Sequence, residues 1–169
     1  GAEALVRWQR PDGSITMPGE FIETLERSGL IYKLDMYIWE CAAKQLSLWK
    51  GTDRQDLFIS VNMSAKDFYN IDVYQVLTGL IDTYNISAGS LRVEITETAL
   101  LEDPESGNEV ISKLKEKGFL VEIDDFGKGN SSLGLLKDIQ ADVLKIDMSF
   151  LHEIDCKKRS RIILESVIK

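Results

Sequence analysis

The chain is 169 residues long, 44% hydrophobic and carries a formal charge of −8, so it can bury a core and is sized for one domain or a large piece of one. Its acidity excludes non-specific binding to nucleic acid or to anionic membranes, and an anionic substrate would have to be met by a metal ion or by a few placed basic residues. Two cysteines, Cys41 and Cys156, make no disulfide framework and fit a cytoplasmic setting, with any membrane anchor of a parent protein lying elsewhere; no apolar run reaches the length of a membrane span.

Taken in order, residues 1–8 read as a strand, Asp12-Gly13 as a turn, and Pro18 as a helix start, with Phe21, Ile22, Leu25 and Leu30 as its apolar stripe and Gly29 as its stop. A second helix is predicted over 31–49, with Leu34, Ile38, Cys41, Ala42, Leu46 and Trp49 on one side. Strands follow at 57–62, 91–96, 120–123 and 143–147. Helices are expected at 73–84, 105–117 (closed by Gly118), 132–137 and 161–169. Helices between strands imply parallel pairing with right-handed crossovers. The abrupt ends read as those of a fragment.

Side chains alternate along a strand, so each strand sorts into two sets. One is apolar: Ala4, Val6; Ile59, Val61; Val93, Ile95; Val121, Ile123; Leu144, Ile146. The other is charged or polar: Glu3, Leu5, Arg7; Phe58, Ser60, Asn62; Glu94, Thr96; Glu122, Asp124; Lys145, Asp147. An open sheet covered on both faces would show continuous apolar strands, so the asymmetry favours an α/β fold in which a barrel has helices outside and a polar site inside, at the strand carboxyl ends.

The densest stretch is 120–133, where an apolar strand runs into Asp124 and Asp125 and then a glycine-hinged loop. Adjacent carboxylates at the mouth of a buried strand call for a cation, although a turn-capping Asp125 and a lysine-paired Asp124 is an equally open reading. Against the inward acids Glu3, Glu94, Glu122, Asp124 and Asp147 the same face supplies Arg7 and Lys145, and divalent ions would settle the difference. Carboxylates with one amide suit Mg²⁺ or Mn²⁺ and argue against zinc, since the sole histidine, His152, lies far along the chain. Two ions sharing Asp124 could activate a water for phosphoester cleavage, and Arg7 offers a planar fork for phosphate.

Five motifs in order, Glu3-Ala-Leu5 with Val-Arg7-Trp8, Ser60-Val-Asn62-Met-Ser64, Glu94-Ile-Thr-Glu97, Asp124-Asp-Phe-Gly127 with Ser131-Ser-Leu133, and Leu144-Lys-Ile-Asp147, resemble the EAL domains of bacterial second-messenger signalling. The resemblance covers nearly the whole chain. It implies a single TIM-like (β/α) barrel domain, partial over residues 1–169, which hydrolyses cyclic di-GMP to linear pGpG with two Mg²⁺ or Mn²⁺ ions. It further implies that Glu3, Asn62, Glu94 and Asp124 hold one metal and that Asp124 and Asp125 reach the second. Lys145 would polarise the attacking water, with Asp147 behind it; Leu5 and Arg7 would hold the substrate, and Glu97 would brace the loop after Asp125. Homodimers and a sensor or diguanylate cyclase domain in the parent protein are expected on the same ground.

Two departures stand out. Lys128 and Asn130 replace the family's small polar and aromatic residues in the metal loop, and one strand before Gly1 and two after Lys169 would be needed to complete the barrel, with a further glutamate and a glutamine. These motivate an alternative, a receptor that binds cyclic di-GMP without cleaving it. A third reading, an unrelated barrel enzyme with Lys145 as a Schiff-base nucleophile, is opposed by the neighbouring acids, which would keep the lysine protonated. His152 and the run 157–159 read as surface groups, and Trp8, Trp39 and Trp49 as packing residues.

Overall fold

The computed structural model describes residues 1–127 and 140–147. Strand β1 is only Ala2–Glu3, fixed to the neighbouring strand by hydrogen bonds from Ala2 N to Phe58 O (3.0 Å) and Ala4 N to Ser60 O (2.9 Å). The expected continuous strand over 1–8 is not formed. Trp8–Gln9 (β2) instead pairs antiparallel with Ile15–Thr16 (β3), because the turn between them closes on itself. Asp12 Oδ1 accepts from both the backbone N–H and the hydroxyl of Ser14, and Gly13 takes φ +84°, a conformation glycine adopts without penalty. Trp8 meets buried Phe21 edge-on at 5.6 Å.

Helix α1 (Ile22–Arg27) ends at Gly29, φ +69°. Helix α2 (Ile31–Trp49) buries Ile31, Trp39, Ala42, Ala43 and Leu46; Cys41, expected on this face, is exposed. The seam is centred on positions 39, 42, 43 and 46, which share one helix face, and Cys41 falls outside it. Strand β4 (Ile59–Met63) is followed by α3 (Asp67–Asn70), absent from the sequence reading, and by α4 (Val73–Thr83), whose N-cap Asp72 accepts from Gln75 N–H. Strand β5 (Leu91–Thr96) passes directly into α5 (Glu97–Glu102), also unexpected; Thr96 both ends the strand and caps the helix through Ala99 N–H. Helix α6 (Pro104–Lys117) starts on Asp103 and Pro104 and stops at Gly118, φ +98°. Strands β6 (Val121–Phe126) and β7 (Val143–Ile146) complete the described sheet.

All five sheet strands are parallel and stand in chain order, β1-β4-β5-β6-β7. A doubly wound sheet reverses its order at a switch point; this one never does, which makes it an arc of a singly wound (β/α) barrel. The apolar face expected from alternation is the buried one: Val61, Val93, Ile95, Val121 and Ile123 pack with Trp39, Leu77, Ile111 and Leu114 from the helices. Each such aliphatic side chain contributes about 1.5–3 kcal/mol by leaving water. Among the described residues, no helix is long and apolar enough to cross a membrane.

Candidate active site

Register decides which polar side chains become neighbours. Asn62 lies opposite Glu94 across β4 and β5, Glu94 opposite Glu122 and Thr96 opposite Asp124 across β5 and β6. Glu3 stands at the end of β1, and Asn62 Nδ2 donates to its Oε1 at 3.1 Å. Glu3, Asn62, Glu94 and Asp124 are thereby brought toward the carboxyl ends of four adjacent strands. Lys145, on β7, spans the gap between Glu94 and Glu122: its ammonium pairs with Glu94 Oε1 and lies 3.1 Å from Glu122 Oε2.

The interior charge balance differs from that expected. Arg7 is exposed and donates to the carbonyl of its neighbour Val6, so it is not an interior counter-charge. That place is taken by Arg92, whose NH1 lies 2.9 Å from Glu122 Oε1 and whose guanidinium sits 3.4 Å above the ring of Phe58. Arg92 is in phase with Glu94, two residues on, so strict alternation along the strand was the signal that could have found it. Glu122 also accepts from Ser60 Oγ at 3.1 Å. Burial opposes its ionisation, but Arg92, Lys145 and Ser60 outweigh that and hold its carboxyl below the usual range.

Glu94 is in the reverse position. It is 1% exposed, and among the described residues Oε2 has no hydrogen-bond partner. Burial pushes its carboxyl up, Lys145 pulls it down, and the charges of Glu3 and Asp124 push it up again, leaving it raised overall. Lys145 is raised: burial lowers it, and the hydrogen bonds and charges of Glu94 and Glu122 more than reverse this. A lysine so held stays an ammonium, which removes the basis for a Schiff-base nucleophile.

Asp124 and Asp125 are both partly buried. Asp125 has φ +55° and Gly127 φ +95°, and the β6–β7 register shifts between Ile123 and Phe126. The bulge returns Phe126 to the apolar face, and two consecutive aspartates occupy the polar interval before it. Glu97, 3% exposed at the first turn of α5, accepts from Gly127 N–H at 3.0 Å. Asp147 N–H donates to Phe126 O at 3.0 Å. Leu5 and Arg7 lie exposed on the segment between β1 and β2. Lys128, Asn130, the expected helix over 132–137, His152, Cys156, the run 157–159 and the expected helix over 161–169 lie outside the described residues.

Among the described residues, no three acidic, histidine or cysteine side chains are close enough together to hold a metal ion as they stand. The donor chemistry nonetheless fits a hard divalent cation. Every candidate offers oxygen, and a buried carboxylate oxygen with no hydrogen-bond donor is what such an ion would satisfy. Beside the strand ends an open cleft of about 1080 Å³ is lined by Asn62, Ser64, Thr96 and Asp35. Asp35 adjoins fully buried Asp67, whose Oδ2 accepts from Ser64 N–H at 2.8 Å. Burial, then the neighbouring Asp67 and Glu26, push Asp35 up to about 8. Asp67 is pushed up to about 6 by burial, against the opposing hydrogen bonds of Ser64 and Asp35. Alternation and motif spacing are silent on this pair, whose members lie 32 residues apart in the chain, on α2 and α3.

A singly wound parallel arc with its polar side chains gathered at the strand carboxyl ends is the plan of a (β/α)-barrel protein. The EAL domain model matches residues 1–169. Signaling protein YkoW of Bacillus subtilis is 38% identical over 168 residues, which make up 99% of this chain and 21% of YkoW. The probable cyclic di-GMP phosphodiesterase PdeB of Escherichia coli is 33% identical over 165 residues, 98% of this chain and 32% of PdeB. Among solved structures, the PaMucR phosphodiesterase in complex with c-di-GMP, whose namesake MucR is a Pseudomonas aeruginosa protein, aligns with a TM-score of 0.84 and 30% identity over 98% of this chain and 67% of that one. The chain belongs to the EAL domain family, and its sheet is part of a TIM-like barrel. It spans about a fifth to a third of the length of these two curated relatives.

Proposed function

We propose that the protein carrying this chain is a divalent-metal-dependent phosphodiesterase that opens cyclic di-GMP to linear pGpG, with residues 1–169 forming part of its single barrel domain. The observation that carries this reading is the buried Glu94 Oε2, which has no hydrogen-bond partner among the described residues, beside Glu3, Asn62 and Asp124. In this reading Glu3, Asn62, Glu94 and Asp124 hold one Mg²⁺ or Mn²⁺ ion, and Asp124 with Asp125 reach a second. Two such ions, when bound, lower the pKa of a water and offset phosphate charge. Lys145 orients the attacking water and remains protonated, and Asp147 supports that arrangement. Glu97 fixes the turn after Asp125 through Gly127 N–H. Leu5 and Arg7, being exposed beside β1, are free to meet the ligand, Arg7 through a bidentate grip on phosphate.

Several relatives are named for this activity, and MucR is named as a bifunctional diguanylate cyclase and phosphodiesterase. A cytoplasmic location, a homodimer and a neighbouring sensor or cyclase domain belong to the same proposal. Its test is conversion of cyclic di-GMP by the full-length protein with Mg²⁺ or Mn²⁺, followed by chromatography of the product. Glu3→Ala is expected to reduce turnover to background, and undiminished turnover in that variant would sink the assignment. Binding of the dinucleotide in Ca²⁺ with no product in Mg²⁺ or Mn²⁺ would instead identify a receptor.

A further inference from the structure

Glu122 is the interior acid that the proposed reaction leaves unused. It lies on β6 two residues before Asp124, in phase with it, and is 2% exposed. Both its oxygens are already engaged: Oε1 by Arg92 at 2.9 Å, Oε2 by Ser60 at 3.1 Å and Lys145 at 3.1 Å. Arg92 itself sits over the ring of Phe58. A carboxylate whose lone pairs are taken by fixed donors has little to offer a metal ion. Glu94, its direct partner in the β5–β6 register, is the opposite, with one oxygen on Lys145 and none on the other among the described residues.

That difference sets up a competition for Glu94. The Lys145 ammonium and a divalent cation both seek the same carboxylate, and a partly buried ammonium released from one acid is stabilised by another close by. We propose that Glu122, braced by Arg92 and Ser60, is a positioning residue that seats Lys145, so that Glu94 can be given up to a hard divalent cation. This rests on the metal-dependent reading above. Glu122 then raises the affinity for the ion without touching it, and does so only while Lys145 is present.

The test is Mn²⁺ affinity of the metal-free full-length protein, read from the electron paramagnetic resonance signal of free Mn²⁺, in the parent, E122Q, K145M and the double variant. With Lys145 present, E122Q returns the ammonium to Glu94 and weakens binding about tenfold, a usual size for coupling between close charges. In the K145M background E122Q changes affinity by less than about twofold, because the residue to be seated is gone. K145M alone tightens binding, and this variant still tests the competition should E122Q fail to fold. Equal weakening by E122Q in both backgrounds would make Glu122 a ligand and overturn the proposal. So would no effect of E122Q in the parent, or weaker binding in K145M. A parent protein that binds no Mn²⁺ overturns this inference together with the metal-dependent reading, whereas binding with the wrong pattern among variants overturns this inference alone.

Discussion

Asp35 and Asp67 show how a pair of adjoining carboxyls can tie stability to pH. Both carboxyls are raised above their ordinary value, Asp35 to about 8 and Asp67 to about 6, so the folded chain retains a proton that the unfolded chain releases above the ordinary carboxylate range. When the native state binds more protons than the unfolded one, stability falls as pH rises, here through the interval from about 4 to about 8. Asp35→Asn keeps the shape and removes the charge. It is expected to melt higher than the parent at pH 8 and to show a shallower loss of melting temperature between pH 5 and pH 8; equal slopes in the two proteins would refute the assignment of this pH dependence to the raised carboxyls. The difference between variant and parent isolates this pair from Glu94 and Glu122, which titrate in both.

At the scale of elements, β6 carries the most consequence per residue. Its bulge depends on Asp125 taking φ +55°, a region that aspartate and asparagine tolerate and β-branched residues resist. Asp125→Val is expected to cost about 1–2 kcal/mol through backbone strain alone, while Asp125→Asn stays near the parent. Urea denaturation of both variants checks this, and a valine variant as stable as the asparagine one would show that the bulge imposes no strain. Strands β4 to β7 were legible in advance because a two-residue repeat sorts Ile59, Val61, Val93 and Ile95 from Asn62 and Glu94 without knowledge of the partners, whereas the expected first strand shrinks to Ala2–Glu3 and leaves Leu5 and Arg7 outside it. The hairpin β2–β3 was not, because its signal is local: the Asp12–Ser14 bonds capture the chain before the apparent strand can run on. Helix α5 was hidden because Thr96 belongs to the strand and caps the helix at once, leaving no spacer to announce a boundary.

For the molecule as a whole, the sheet holds its polar groups by register and its helices hold the sheet by burial, and one side chain joins the two. The indole of Trp39, 0% exposed on α2, donates to the backbone carbonyl of Asn62 at 2.9 Å. Charge compensation in the interior was only half legible, since Arg92 follows from alternation while the Asp35–Asp67 approach depends on α2 and α3 meeting in space. The same meeting of layers makes Trp39 an optical reporter. Trp8 is 55% exposed and Trp49 lies between the extremes, so the bluest emission belongs to Trp39. Fluorescence excited at the red edge of indole absorption should lose that component in Trp39→Phe and shift when Mn²⁺ is added to the parent, giving a readout of the strand ends that needs no label and no substrate.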